Sequence, residues 1–223
     1  MFLIETASSP NVADVCVTSD RTLLYGVIEV PVKATFAPGT TARILAGAVG
    51  AAAGADAAQW PSAMADGVAS ALERYNSADY PIAVLGAFIA MSNWKIHICW
   101  AGTIRVHLVR HGATVRVTND HNFIDDPVDG VTESLLSSGT DIAGCRFAAS
   151  RAISARMSRP PASQIWEREP HDVLLVCSVY DHRNAPPAEY AKKLISDSNE
   201  LLVRGDGHGF ISVIRTVPRL PAE

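Results

Sequence analysis

The stretch at residues 98–121 constrains the fold more than any other part of the chain. Its sequence is ICWAGTIRVHLVRHGATVRVTNDH. Apolar residues alternate with other residues in two runs on either side of a short turn at 110–112, and such alternation is typical of strands with one buried face. The stretch therefore predicts one β-hairpin. Its alternating apolar residues are Ile104, Val106 and Leu108, then Ala113, Val115 and Val117.

The remaining elements follow an order of strands, helices, strands and a mixed tail. Strands are predicted at 12–17, 23–30, 81–90, 94–100, 172–178 and 210–217. Alanine-rich segments at 40–54 and 62–76 predict two packed helices, and a third helix is predicted at 187–202. The acidic loop at 122–130 is expected to be exposed, and 132–158 to be helical in parts. This order predicts an α+β fold in which helices cover antiparallel sheets.

Size and composition favour one soluble domain that spans residues 1–223. The chain is 48% hydrophobic, which suffices for a large core without metal or disulfide support. Four widely spaced cysteines in apolar stretches predict reduced, buried thiols and a cytoplasmic location; they are Cys16, Cys99, Cys145 and Cys177. We expect no membrane span, because no apolar run reaches about 18 residues. No dense basic cluster accompanies the net charge of −4, so nucleic acid binding is not expected either.

Several motifs resemble those of the metal-dependent Ser/Thr protein phosphatases of the PPM type. The segment AGTIR at 101–105 is similar to that family's Val-Gly-Asp-Ser-Arg, and TNDH at 118–121 to its Thr-x-Asp-His. Further similar segments occur in the family's order: NVAD at 11–14, YGVIE at 25–29, SRAI at 150–153, EPHDVLLVCS at 169–178 and a closing strand within 205–213. The resemblance implies a four-layer α-β-β-α sandwich, in which helices flank two antiparallel sheets.

The same resemblance implies a site at which most metal ligands are replaced. In that family, clustered aspartates hold two Mg²⁺ or Mn²⁺ ions, and a metal-bridging water attacks the phosphoester. Asp14 and Glu29 are the acidic candidates that remain here. The other ligand positions fall on Thr103, Val179 and Gly209. Two carboxylates do not offset the charge of two adjacent divalent ions, so we expect no metal cofactor, and Mn²⁺ or Mg²⁺ only if the protein is active.

A different metal site stays open as an alternative. Three metal-binding side chains lie close in sequence to the emptied positions: Asp181, Asp206 and His208. Together with His182 and Glu29, they would suit Zn²⁺ or Fe²⁺, which accept imidazole and carboxylate ligands. The simpler interpretation is that they are solvated loop residues, since Asp and His are common in turn-rich segments. His121 is expected to be structural.

Two functions follow from these residues. The first is a pseudophosphatase that acts in signalling by binding a protein partner, either a phosphoprotein or a kinase. The alternative is an active, divergent metal-dependent Ser/Thr phosphatase that hydrolyses phosphoester bonds. The number of carboxylates in the cleft distinguishes the two interpretations.

Overall fold

The fold consists of eleven strands and three helices in the part of the chain that a computed structural model describes. The described residues are 2–8, 11–19, 22–30, 37, 39–75, 82–92, 94–139, 148–157, 159–178 and 210–216. In chain order the elements are β1 (Phe2–Ser8), β2 (Val12–Thr18), β3 (Leu23–Glu29), α1 (Thr40–Ala52), α2 (Trp60–Leu72), β4 (Ala83–Met91), β5 (Lys95–Ala101), β6 (Arg105–Arg110), β7 (Ala113–Val117), α3 (Val131–Ser137), β8 (Ile153–Ser154), β9 (Ala162–Glu167), β10 (Val173–Cys177) and β11 (Phe210–Thr216).

The strands form two antiparallel sheets. The first sheet has the order β1-β11-β10-β6-β7, and the second has the order β2-β3-β4-β5-β9, with β8 paired to the start of β4. Alternate residues of both sheets point into a shared core, which includes Tyr25, Trp166 and Phe210. The Tyr25 hydroxyl lies 2.5 Å from the Ser212 hydroxyl and thereby links the two sheets inside this core.

Helices α1 and α2 cover the outer face of the second sheet. Their apolar sides pack on Ile28, Val84 and Phe88 to form a second core. The two helices approach closely at Gly67, where an added Cβ would lie 2.8 Å from the Cα of Ala48. This spacing explains why a residue without a side chain occupies the contact. None of the described helices is long and apolar enough to cross a membrane.

The structure confirms the predicted sandwich of two antiparallel sheets flanked by helices. The hairpin of β2 and β3, the two packed helices, the strands β4 and β5 and the central hairpin of β6 and β7 all occur where the sequence predicts them. Strands β10 and β11 also match their predictions to within one residue at each end. The predicted helix at 187–202 and Cys145 lie outside the described residues.

Other predictions were wrong. Val115 and Val117 are 47% and 44% exposed, because β7 is an edge strand and turns them away from the core. The loop at 122–130 is not uniformly exposed, since Asn122 is buried. The prediction that 132–158 is helical in parts is confirmed by α3 but is wrong for 148–157, which contains β8, and β1 and β9 were not predicted. Cys16 is exposed on the edge strand β2, whereas Cys99 and Cys177 are buried free thiols as expected.

The close helix contact predicts a stability effect of the Gly67→Ala substitution. The free energy of unfolding should fall by about 1–2 kcal/mol, because overpacking against Ala48 outweighs the better helix propensity of alanine. Gly50→Ala, on an open face of α1, is the matched control and should raise the stability. Urea unfolding of both variants measures the difference; equal stabilities would contradict the close packing.

Candidate functional site

Glu29 lies at one end of the second sheet. It is the last residue of β3 and pairs with Val12 and with Leu85 in the neighbouring strands. Its side chain faces the core between the sheets, as does that of Val27, and the residue is only 7% exposed. A carboxylate that is largely removed from water is uncommon unless it has partners, so Glu29 is a candidate site residue.

Thr103 lies at the same end, in the crossover that connects the two sheets. The chain leaves the second sheet at Ala101, which pairs with Gly86, and enters the first sheet at Arg105. Between them, Gly102 has a φ of 92°, and an added Cβ there would come within 2.4 Å of the Leu85 side chain. Because Leu85 is also the register partner of Glu29, the crossover and Glu29 are neighbours. Thr103 is 2% exposed.

The ends of β10 and β11 meet the crossover from the first sheet. Cys177 pairs with Arg105, and the next residue, Ser178, is bonded twice to Phe210. The Ser178 amide donates to the Phe210 carbonyl at 3.2 Å, and the Phe210 amide donates to the Ser178 hydroxyl at 3.3 Å. Ser178 is thus a buried strand-end residue. Val179, Asp181, Asp206, His208 and Gly209 lie outside the described residues, so their predicted roles remain predictions.

Asp14 does not lie at the end of the second sheet where Glu29 lies. It lies in the middle of the edge strand β2, opposite Val27, and it is exposed. Residues directly opposite each other in an antiparallel pair share a face, and so do residues two apart in one strand. Asp14 and Glu29 are therefore on the same face of the sheet, as diagonal neighbours.

The described residues do not fit a two-ion centre. Within the ranges that the structure describes, no group of three or more His, Cys, Asp or Glu side chains is arranged to hold a metal ion. Glu29 contributes one buried carboxylate, whereas Thr103 contributes a neutral hydroxyl group. A pair of divalent ions needs several anionic oxygen ligands, and the described residues at this end of the second sheet do not supply them.

An ion pair fixes the crossover, and neither of its two residues was predicted to be part of the site. Arg105 donates to both carboxylate oxygens of Asp120 at 2.6 Å, and the Asp120 side chain is 4% exposed. The hydrogen bonds that Arg105 donates to Asp120 raise the pKa of Arg105, and the charge of Asp120 adds to the effect. Thr118 supports the same place, since its hydroxyl accepts a hydrogen bond from the Val106 amide at 2.9 Å. The TNDH segment at 118–121 therefore holds the start of β6 in place through these hydrogen bonds.

His121 is a packed residue. Its ring stacks on that of Trp100 with a centroid distance of 5.3 Å, and its amide donates to the Gly102 carbonyl at 3.0 Å. Burial, together with the charge of Arg151, lowers the pKa of His121 to about 4. The imidazole is consequently neutral near pH 7. This arrangement agrees with the structural role expected from the sequence.

The arrangement of the two sheets and the crossover defines a class of fold, the PPM-type Ser/Thr phosphatase sandwich. Stp1 from Staphylococcus aureus is similar over 98% of this chain and 95% of its own, with a TM-score of 0.71 and 11% identity. The S. agalactiae serine/threonine phosphatase is similar over 98% and 99% of the two chains, with a TM-score of 0.70 and 16% identity. The fold of this chain is therefore that of the PPM-type phosphatases.

A third neighbour was solved with metal. It is the catalytic domain of the serine/threonine protein phosphatase PstP in complex with two manganese ions, with a TM-score of 0.57, 18% identity and 96% coverage of both chains. No protein-family model matches this chain. No curated protein matches its sequence.

The Arg105 and Asp120 pair predicts a stability effect at the crossover. Asp120→Asn should lower the free energy of unfolding by about 1–3 kcal/mol, because a partly buried guanidinium loses its charged acceptor. Glu169→Gln is the control: Glu169 pairs with Arg110 at 2.6 Å but is 55% exposed, so its loss should leave the stability nearly unchanged. Urea unfolding measures both; similar effects of the two substitutions would contradict a special role of Asp120.

Histidine burial predicts how stability changes with pH. The pKa of His107 is lowered to about 4 by burial and by Arg105, as that of His121 is by burial and by Arg151. The unfolded chain therefore binds more protons between about pH 4 and 6.5, and stability should fall as the pH falls through this range. Each histidine contributes at most about 1.4 kcal/mol per pH unit.

His121→Gln should reduce this pH dependence, because it removes one of the two buried imidazoles. Unfolding curves at several pH values measure the slope for the variant and for the unsubstituted protein. His111→Asn, in an exposed turn with φ of 51°, is the control and should keep the full slope, since asparagine tolerates that conformation. An unchanged slope in His121→Gln would contradict the assignment of a neutral buried ring.

Proposed function

We propose that this protein is a PPM-type pseudophosphatase that acts in signalling by binding a protein partner. The partner would be a phosphoprotein or a kinase, and the protein would recognise it without hydrolysing a phosphoester. The observation that supports this most directly concerns two residues, Glu29 at the end of β3 and Thr103 in the crossover. Glu29 is a buried carboxylate, but Thr103, in the adjacent crossover, is a buried neutral residue at a position where the resembled family has an acid.

Electrostatics explains why this substitution affects metal binding. Each carboxylate that is replaced by a neutral group removes part of the negative charge that holds two cations a few ångströms apart. The longer side chain of Glu29 also stands where the family has a bridging aspartate, which changes the geometry of any bridge. Binding to a protein surface, in contrast, requires only a stable scaffold.

The alternative is an active, divergent phosphatase that uses Mn²⁺ or Mg²⁺. One support is the fold, which is shared by a neighbour solved with two manganese ions. The other is Glu29, an acidic residue that is buried at the end of β3. This alternative needs further ligands at or near Asp181, Asp206 and His208.

Metal titration distinguishes the two functions. Calorimetric titration of the protein with Mn²⁺ should show no micromolar site, and an aryl phosphate should not be hydrolysed in the presence of Mn²⁺, because the buried acids are too few. Metal-dependent turnover that disappears in Glu29→Ala would establish the active phosphatase instead. Glu73→Ala, at an exposed acid just after α2, is the control and should leave either result unchanged.

A further inference from the structure

A small, positively charged pocket lies beside the crossover and is separate from Glu29. Its volume is about 200 Å³. Nine residues line it, and these include three arginines and no acid: the arginines are Arg151, Arg156 and Arg159. Ser150 contributes a hydroxyl group and Met157 an apolar wall.

Asp126 holds two of the arginines in place. One of its carboxylate oxygens accepts from Arg159 at 2.7 Å and from Arg151 at 3.2 Å, and the other accepts from the Ser150 hydroxyl at 3.0 Å. Partial burial alone would raise the pKa of Asp126, but the Ser150 hydroxyl and the two guanidinium groups together lower it. Arg151 is also anchored by the Pro160 carbonyl at 3.0 Å. These bonds preorganise the guanidinium groups.

The pocket has more positive charge and more hydrogen-bond donors than its described acidic and acceptor groups offset. The pocket has three guanidinium groups, and its only anchoring carboxylate, Asp126, pairs with two of them, so two positive charges have no counter-charge among the described residues that line or anchor the pocket. Arg156 is exposed and forms no ion pair with the described residues. The Nε atom of Arg151 is buried and has no hydrogen-bond acceptor among them. Such unused, clustered guanidinium donors match the oxygens of a phosphate group.

The size of the pocket indicates what kind of molecule carries the phosphate. Sites that enclose a small-molecule ligand are commonly about 300–1,000 Å³, so this pocket holds a phosphoryl group but leaves the rest of its carrier outside. We propose that the pocket binds a phosphorylated Ser or Thr side chain of the protein partner. This inference rests on the proposed function and names the site at which that function would recognise phosphorylation.

Backbone hydrogen bonds place the pocket next to the crossover. The Gly102 carbonyl accepts from the His121 amide at 3.0 Å, and the His121 carbonyl accepts from the Ser150 amide at 2.9 Å. Ala83, which lines the pocket, is two residues before the register partner of Glu29. A partner that covers this end of the sandwich would therefore contact the pocket and the crossover together.

Binding of a labelled peptide to the full chain tests the proposal. The probe is a fluorescent Ala-Ala-pSer-Ala-Ala peptide, with its unphosphorylated form for comparison, measured by anisotropy in a buffer with EDTA. The phosphopeptide should bind at least about tenfold more tightly than the unphosphorylated peptide, and Arg156→Gln should weaken it about tenfold, as expected for one charge-assisted hydrogen bond. Arg116→Gln, at an exposed arginine of β7, is the matched control and should bind like the unsubstituted protein.

Several results would overturn the proposal. They are absence of phosphopeptide binding at millimolar concentration, equal binding by Arg156→Gln and the unsubstituted protein, and loss of binding in Glu29→Ala, which would place the phosphate in the cleft. Competition by inorganic phosphate with the same affinity as the phosphopeptide would also overturn it, because the carrier would then contribute nothing. Since EDTA removes metal, the anisotropy result is independent of Mn²⁺-dependent turnover, and the two proposals can fail separately.

Discussion

The crossover from β5 to β6 is the constraint on which the rest of this structure depends. At Gly102 the chain passes so close to Leu85 that no side chain fits, and within a few residues it changes from one sheet to the other. The bidentate contact of Arg105 with Asp120 then fixes the start of β6. Because β6 is paired with both β10 and β7, the position of the crossover determines how the first sheet stacks on the second.

The charges of two buried residues differ at this end of the second sheet: Glu29 carries a carboxylate, whereas Thr103 carries a neutral hydroxyl group. Several buried carboxylates in one cleft repel each other, and such a site is relieved only by bound cations or by protonation. Thr103 is buried and neutral, so it adds no such repulsion to the crossover. A neutral residue at position 103 therefore supports the proposed pseudophosphatase, because it removes part of the negative charge that two divalent ions require.

The sequence predicts those parts of the fold that local pattern determines. The helices α1 and α2 follow from alanine-rich segments, and β4, β5 and β10 from apolar runs long enough to be buried on both faces. Edge strands were harder to predict, because one side of such a strand faces solvent and an apolar residue there need not point into the core. Thus β9 was missed although Trp166 is fully buried, and Val115 and Val117 were assigned to the wrong side.

The residues of the site could be predicted only in part from the sequence. Glu29 and Thr103 were found because they lie within recognisable motifs, but Asp126 lies 25 and 33 residues from the arginines it binds, in a loop that was expected to be exposed. Only the fold brings these charges together, through the β-bridge between Asn122 and Ala149 and the hydrogen bond from Ser150 to His121. The same bonds connect the arginine pocket to Gly102. A buried carboxylate at Glu29 and an arginine pocket with excess positive charge therefore lie on one hydrogen-bonded framework, which supports the proposal that this end of the sandwich binds a phosphate group.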